Sequence, residues 1–282
     1  MSLSNTATRD NSVNLQVPVG TWSLRFTVII YLVVLIVVPV LVISVEGLRG
    51  GGDAFVKAIS KPQALSAIWL SVWTAAIMAA INMLMGTLTA YVLTAYRFPG
   101  KRLLNAVIDL PFAIPTLVTG VMLVLLYGPQ TVIGTLFESQ FGTRLIYAPP
   151  GIVLALLFLG YPFVVRAVQP VLVGLDVHQQ EAAHTLGASG WTTFRRVILP
   201  AITPAVITGG MLSFARALGE FGSIVIVAGN IPLRTQTAAV YIYGQVEGGN
   251  NTAASSVSLV VLAIALSTTL IAERLIRRYG RV

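Results

Sequence analysis

Long apolar stretches alternate with short polar, often basic, segments along the chain, and that alternation predicts its elements. Five stretches carry no charged residue: 26–45, 62–96, 110–137, 145–165 and 248–272. About 20 consecutive apolar residues suffice for a helix to cross the hydrocarbon layer of a bilayer. Placing spans between the polar breaks predicts about six transmembrane helices. The first covers 26–45, with Pro39 as a kink, and a polar segment, 46–61, follows. The second lies within 68–96 and is closed by the basic run Arg97-Phe98-Pro99-Gly100-Lys101-Arg102. The third runs over 103–127 and contains Pro111 and Pro115; the fourth, 151–173, is broken by Pro162. The fifth, 201–228, holds Arg216 and Glu220, and a loop over 229–251 leads to the sixth, 252–272. In hydrocarbon every backbone N–H and C=O must be satisfied internally, so the spans are read as helices. The two-residue alternation of a membrane β-barrel is absent from them. The expected fold class is all-α, a polytopic membrane protein.

Composition sharpens this picture. Of the 282 residues 56% are hydrophobic and 10% charged, whereas a soluble domain carries about 25% charge. A soluble core of this size would lack its charged shell. There is no cysteine, which excludes disulfides and thiolate chemistry. The net charge of +8 does not require a nucleic-acid partner, because Lys and Arg collect in the cytoplasmic loops of membrane proteins. With both termini inside, eleven of the 18 Lys and Arg fall on the cytoplasmic side, five in outer loops, and two, Arg166 and Arg216, within spans. The chain therefore reads as a cytoplasmic tail over 1–25 and a transmembrane domain over 26–282, with 174–200 inside. The first 21 residues are polar and the first apolar run is long, so no cleaved signal peptide is expected.

Four charges fall within or at the edge of the spans: Asp109, Arg166, Arg216 and Glu220. Each costs about 2.5–3.5 kcal/mol at the centre of a span, so a partner or water is expected for each. Arg216 and Glu220 stand four apart, on one helix face. At about 1.5 Å rise per residue, Arg216 lies roughly 21 Å beyond Ile202, near or past the midplane. This face is either the lining or gate of an anion path or a structural pair. Asp109 lies about 9 Å up the third span and Arg166 toward the cytoplasmic end of the fourth; they are read as a structural intramembrane pair. Gly209, Gly210, Gly219 and Gly222 permit close helix approach or a local break. His178 and His184, six apart, do not share a helix face, and no metal site is expected. Gly50-Gly51-Gly52 is not followed by Lys-Ser/Thr, so it is no phosphate loop. No catalytic residue or nucleotide site is expected in this chain.

The segment 174–200 is polar and amphipathic. Asp176, with Gln179 three residues on, is a capping-box-like helix start. Gly187 stands where a left-handed helix stop is wanted, and Ser189 caps a second short helix over 190–198, before Pro200. Ala182 and Ala183 are small enough for another surface to approach closely. On physical grounds alone these helices could equally rest on the membrane surface.

Glu181-Ala182-Ala183, Gly187-Ala188, Phe194 and Leu199-Pro200 resemble the coupling motif of binding-protein-dependent bacterial ABC importers, of the MetI-like permease superfamily. There E-A-A, three residues, G and a later L-P form a helix–turn–helix that docks into a cleft on the ATPase. The resemblance implies a type I importer permease fold and makes Glu181, Ala182, Ala183 and Gly187 the ATPase contacts. It also implies a second homologous permease, an ATPase dimer carrying the ATP and Mg, an extracytoplasmic binding protein, and the cytoplasmic (inner) membrane as location. Three further blocks are similar to sulfate/thiosulfate permeases of the CysT type: Tyr96–Leu104 with Asp109–Thr116, Pro162–Leu172, and Phe214–Ser223 with Ala228-Gly229-Asn230. Molybdate permeases share the last block, so molybdate, tungstate or another oxyanion is the alternative cargo. A secondary transporter is a more distant alternative.

Overall fold

The structure is a computed structural model that describes residues 21–279. Most of the tail expected over 1–25, including Arg9, lies outside the described residues, as does Arg281. The chain divides into two units, 1–43 and 44–282. The described part of the first unit belongs to helix α1, Trp22–Leu48, whose residues up to Pro39 all present exposed side chains. Then come α2 (Gly51–Ile59), α3 (Pro62–Ala95), α4 (Lys101–Ala113), α5 (Thr116–Tyr127), α6 (Val132–Phe141) and α7 (Pro149–Val173). They are followed by α8 (Val177–Thr185), α9 (Gly190–Leu218), α10 (Gly222–Ala228), α11 (Ala238–Glu247) and α12 (Asn251–Tyr279). No strand occurs among the described residues. Five helices, α1, α3, α7, α9 and α12, are long and apolar enough to cross a membrane, and the pair α4–α5 makes a sixth if counted as one span.

Three expectations about prolines need correction. The third span is not one helix over 103–127: α4 and α5 meet at 112°. Ile114 is extended (φ −85°, ψ 126°), as the residue before a proline tends to be, and Pro115 lacks the N–H that would carry the ladder on. Pro162, expected to break the fourth span, lies inside an unbroken α7. Pro200 does not end a separate cytoplasmic helix, because 190–198 runs directly into the fifth span as α9. A π-turn, Phe194–Ile198, stands just ahead of Pro200, with the Leu199 N–H bonded to the Phe194 carbonyl. The same device, Val33–Val37 with Val38 N–H on Val33, precedes Pro39 in α1. The wider turn takes up the missing donor and the bulk of the ring. The fifth span also ends earlier than 228: α9 stops at Leu218, and a break at 219–221 separates it from α10.

The core of the second unit is built by α3, α7 and α9. Leu70, Met78, Leu156, Phe214 and Leu218 form one buried cluster, and Leu93, Val164, Val168, Ile198 and Ile202 a second. Small residues let these helices approach. A Cβ on Gly86 or Gly209 would come within 2.9 Å and 2.8 Å of Val164 atoms, so α7 is gripped from both sides at that point. Without a hydrophobic drive between helices in lipid, such close contact is what holds a membrane bundle together. Leu84, Leu88, Leu117 and Leu266 keep their side chains on the outside, which suits a surface solvated by lipid or by another membrane helix.

Candidate functional site

Three features stand out: a helical hairpin at one end of the bundle, a charged network at α4 and α7, and a charged elbow where α9 gives way to α10.

The hairpin is α8, a tight turn and the first turns of α9. The Asp176 carboxylate accepts the His178 N–H at 2.9 Å and caps α8. At the other end Gly187 has φ +78°, its N–H bonds to His184 O at 2.9 Å, and the Ala188 N–H bonds to Ala183 O at 3.0 Å. These two bonds are a Schellman stop, which needs a left-handed residue at the position of Gly187. Ser189 Oγ then accepts the Thr192 N–H at 3.2 Å and caps α9. Glu181 and Ala182 are exposed, Ala183 is half-buried, and Glu181 faces His178 Nδ1 at 3.3 Å. Leu186 (88% exposed) and Trp191 (69%) project from the same segment. An aromatic ladder ties the hairpin to the bundle: Trp191 stacks on Phe194 with centroids at 5.7 Å, Phe194 meets Tyr91 edge-on at 5.4 Å, and Tyr91 meets Tyr96 at 6.4 Å. The hairpin is thus a stiff element fixed to the end of α3, with an open outer face.

Asp109 and Arg166 meet across α4 and α7. Arg166 Nε and Nη2 donate to the two Asp109 oxygens at 2.7 and 2.6 Å. Its other donors reach Asn105 Oδ1 at 3.2 Å, Gln169 Oε1 at 2.7 Å and the Asn105 carbonyl at 2.9 Å. All five guanidinium N–H groups have an acceptor. Neither Asn105 nor Gln169 was expected from the sequence. The signal was available in the spacing, since Asn105–Asp109 are four apart on α4 and Arg166–Gln169 three apart on α7.

Arg216, on the last turn of α9, pairs at 3.0 Å with Glu220 in the break that follows, with side chains 45% and 3% exposed respectively. The second carboxylate oxygen of Glu220 accepts from the Ser223 N–H at 3.0 Å and from Ser223 Oγ at 3.1 Å. Ser223 was not foreseen; it makes Glu220 a cap for the start of α10 as well as a counter-ion. The elbow is packed against α5, where a Cβ on Gly222 would stand 2.1 Å from Thr116 Oγ1. Its depth follows from its neighbours. Arg216, Ala217 and Glu220 line a small crevice with Leu156, Leu159 and Gly160, near the middle of α7. Ser213, one turn earlier, donates to Met78 Sδ at 3.1 Å, near the middle of α3. The charged pair therefore sits within about two turns of mid-span. Charged side chains at such a depth as a rule face a bundle interior or a water-filled cavity.

No group of three or more His, Asp or Glu fit to hold a metal occurs among the described residues. His178 and His184 remain on the hairpin, with His178 beside Glu181.

Long apolar helices, a packed core of α3, α7 and α9 and a capped helical hairpin at one end define a polytopic membrane protein. The family described as binding-protein-dependent transport system inner membrane component matches residues 82–281, and the chain belongs to that family. It is 36% identical over 255 residues to the sulfate transport system permease protein CysT of Escherichia coli (strain K12), covering 90% of this chain and 92% of that one. To a probable sulfate transport system permease protein of Chlorokybus atmophyticus it is 42% identical over 245 residues, 87% of this chain and 84% of the relative. Among solved structures, a chain of a bacterial alginate ABC transporter, in complex with alginate pentasaccharide-bound periplasmic protein, superposes with a TM-score of 0.75 at 18% identity. The match covers 91% of this chain and 93% of that one. The inward-facing MetNI methionine ABC transporter gives 0.59 at 16% identity, over 76% and 95% of the two chains. At these identities the structures speak for the fold, an ABC importer permease fold.

Proposed function

We propose that this chain is the permease subunit that carries sulfate, and with it thiosulfate, across the cytoplasmic membrane, both termini inside, powered by ATP hydrolysis on a separate subunit. The observation that carries the reading is its likeness to sulfate permeases at 36–42% identity over 87–90% of its length. In the assembled importer it stands beside a second, homologous permease, above a pair of ATPases and below an extracytoplasmic sulfate-binding protein. ATP and Mg belong to the ATPases. Glu181, Ala182, Ala183 and the Gly187 turn form the face that docks on an ATPase. ATPase closure moves the hairpin as a rigid lever, and the aromatic ladder carries the motion into α3. At mid-span, the exposed face of α9 that holds Arg216 lines the anion path.

Reconstitution with its binding protein and ATPase tests the reading: ATP-dependent uptake of labelled sulfate, suppressed by excess unlabelled thiosulfate, is expected. Molybdate uptake without sulfate uptake would overturn the cargo. Arg216→Gln alone leaves the buried Glu220 carboxylate without its cation, so assembly falls. Arg216→Gln/Glu220→Gln removes both charges and restores assembly. Sulfate flux stays lost if Arg216 lines the path; normal flux in the double variant would place the path elsewhere.

A further inference from the structure

The two partners of the elbow pair are held very differently. Glu220 has an anchor that does not depend on Arg216: one oxygen takes both the N–H and the hydroxyl of Ser223, at 3.0 and 3.1 Å, on the first turn of α10. With the side chain 3% exposed, the carboxylate has no room to leave. Arg216 meets it through one nitrogen, Nη1, on the other oxygen. Its long side chain is 45% exposed, on a face of α9 that also exposes Leu212, one turn earlier. The anion is therefore fixed and the cation can swing. Arg166 makes the contrast plain, since acceptors surround its guanidinium on every side.

We propose that Glu220 is an exchangeable counter-ion that sets how tightly Arg216 holds a passing oxyanion. The inference rests on the reading that the Arg216 face lines the anion path. With no substrate at the elbow, the carboxylate neutralises the guanidinium. A sulfate reaching mid-span must take Arg216 from Glu220, so its net attraction is what remains after the pair is broken. As the anion moves on, the anchored carboxylate is still in place and recaptures Arg216. A lone guanidinium in a low-dielectric surrounding would hold a divalent anion strongly, and conduction requires that a site release what it binds. Glu220 thereby separates passage from trapping.

Glu220→Gln keeps the shape and an oxygen for the Ser223 donors but removes the competing charge. In the assembled permease–ATPase complex without binding protein, equilibrium dialysis with labelled sulfate is expected to show at least tenfold tighter binding than wild type, about 1.4 kcal/mol. Uptake by the same variant, supplied with binding protein, falls because release slows. In Arg216→Gln/Glu220→Gln the gained binding disappears. Unchanged sulfate binding in Glu220→Gln, with the double variant assembled and without flux, would overturn the counter-ion role and leave the path reading standing. Normal flux in the double variant would overturn both. If Glu220→Gln does not assemble, Glu220→Asp serves: one methylene shorter, it cannot reach both Ser223 and Arg216. A gain of threefold or more is expected, and no gain overturns the proposal.

Discussion

A guanidinium offers five N–H groups in one plane, and Arg166 finds an acceptor for each, from Asp109, Asn105 and Gln169. That completeness tolerates a charge on a membrane helix, since an unmatched donor in a low-dielectric surrounding costs about 1–3 kcal/mol. Lysine would keep the charge but offers a compact ammonium with three donors and no fork to match a carboxylate. Arg166→Lys is therefore expected to lower the thermal stability of the purified complex by about 1–3 kcal/mol, read as a drop in melting temperature. Asp109→Asn/Arg166→Gln should cost less than the sum of its single changes, because residues in one network couple. Additive losses would show that the network contributes little. The Arg216 elbow follows another logic at the same scale, with one partner saturated and the other left half-exposed.

Elements show where local chemistry decides structure and where neighbours do. The hairpin was legible because its signals are local: Asp176 and Ser189 cap, and Gly187 stops, at the positions the sequence suggests. The proline effects were not legible. A proline announces a missing donor, but the packing around it decides whether the chain bends. Pro162 lies between α7 contacts with α3 and α9 and the helix stays whole, whereas after Pro115 the chain turns so that α5 can pack on α10. The elbow at 219–221 was half legible: Gly219 and Gly222 allowed a local break, but only the packing of α10 on α5 decides that the span stops there. Helices α2, α6 and α11 fell in stretches read as loops; all three are of ten residues or fewer, too short to stand out beside the membrane spans. The hairpin allows a sharp test. Gly187→Val forces a β-branched residue into a left-handed backbone (φ +78°), at about 1–2 kcal/mol or more, and undoes the stop that sets the direction of α8. Co-purification of the ATPase and sulfate uptake should both fall, while Gly187→Asn, which tolerates that conformation, should retain most of each. Wild-type uptake in Gly187→Val would sink the coupling role of the turn.

For the whole molecule, the arrangement of the 44–279 helices gathers the basic segments at one end, which the sequence alone does not show. Tyr91, near the end of α3, touches Phe194, near the start of α9, so the basic residues Arg97, Lys101, Arg102, Arg195 and Arg196 belong to one end of the bundle. Ala64 and Ala67, at the start of α3, pack with Tyr241 of α11 and with Val257, near the start of α12. The α12 helix therefore begins at the opposite end and delivers Arg274 and Arg277 back to the basic one. One end of the bundle thus gathers the cationic loops, the hairpin and the C-terminal turn of α12, and positively charged loops stay on the cytoplasmic side. The expected topology has 97–102, 174–200 and 274–279 in the cytoplasm, and α6 and α11 outside. The chain has no cysteine, so single substitutions report cleanly. An impermeant maleimide added to intact cells should label Ser139→Cys, exposed on α6, and should reach Ser189→Cys, at the hairpin turn, only after the membrane is opened. Labelling of Ser189→Cys from outside would invert the molecule and separate the hairpin from any cytoplasmic ATPase.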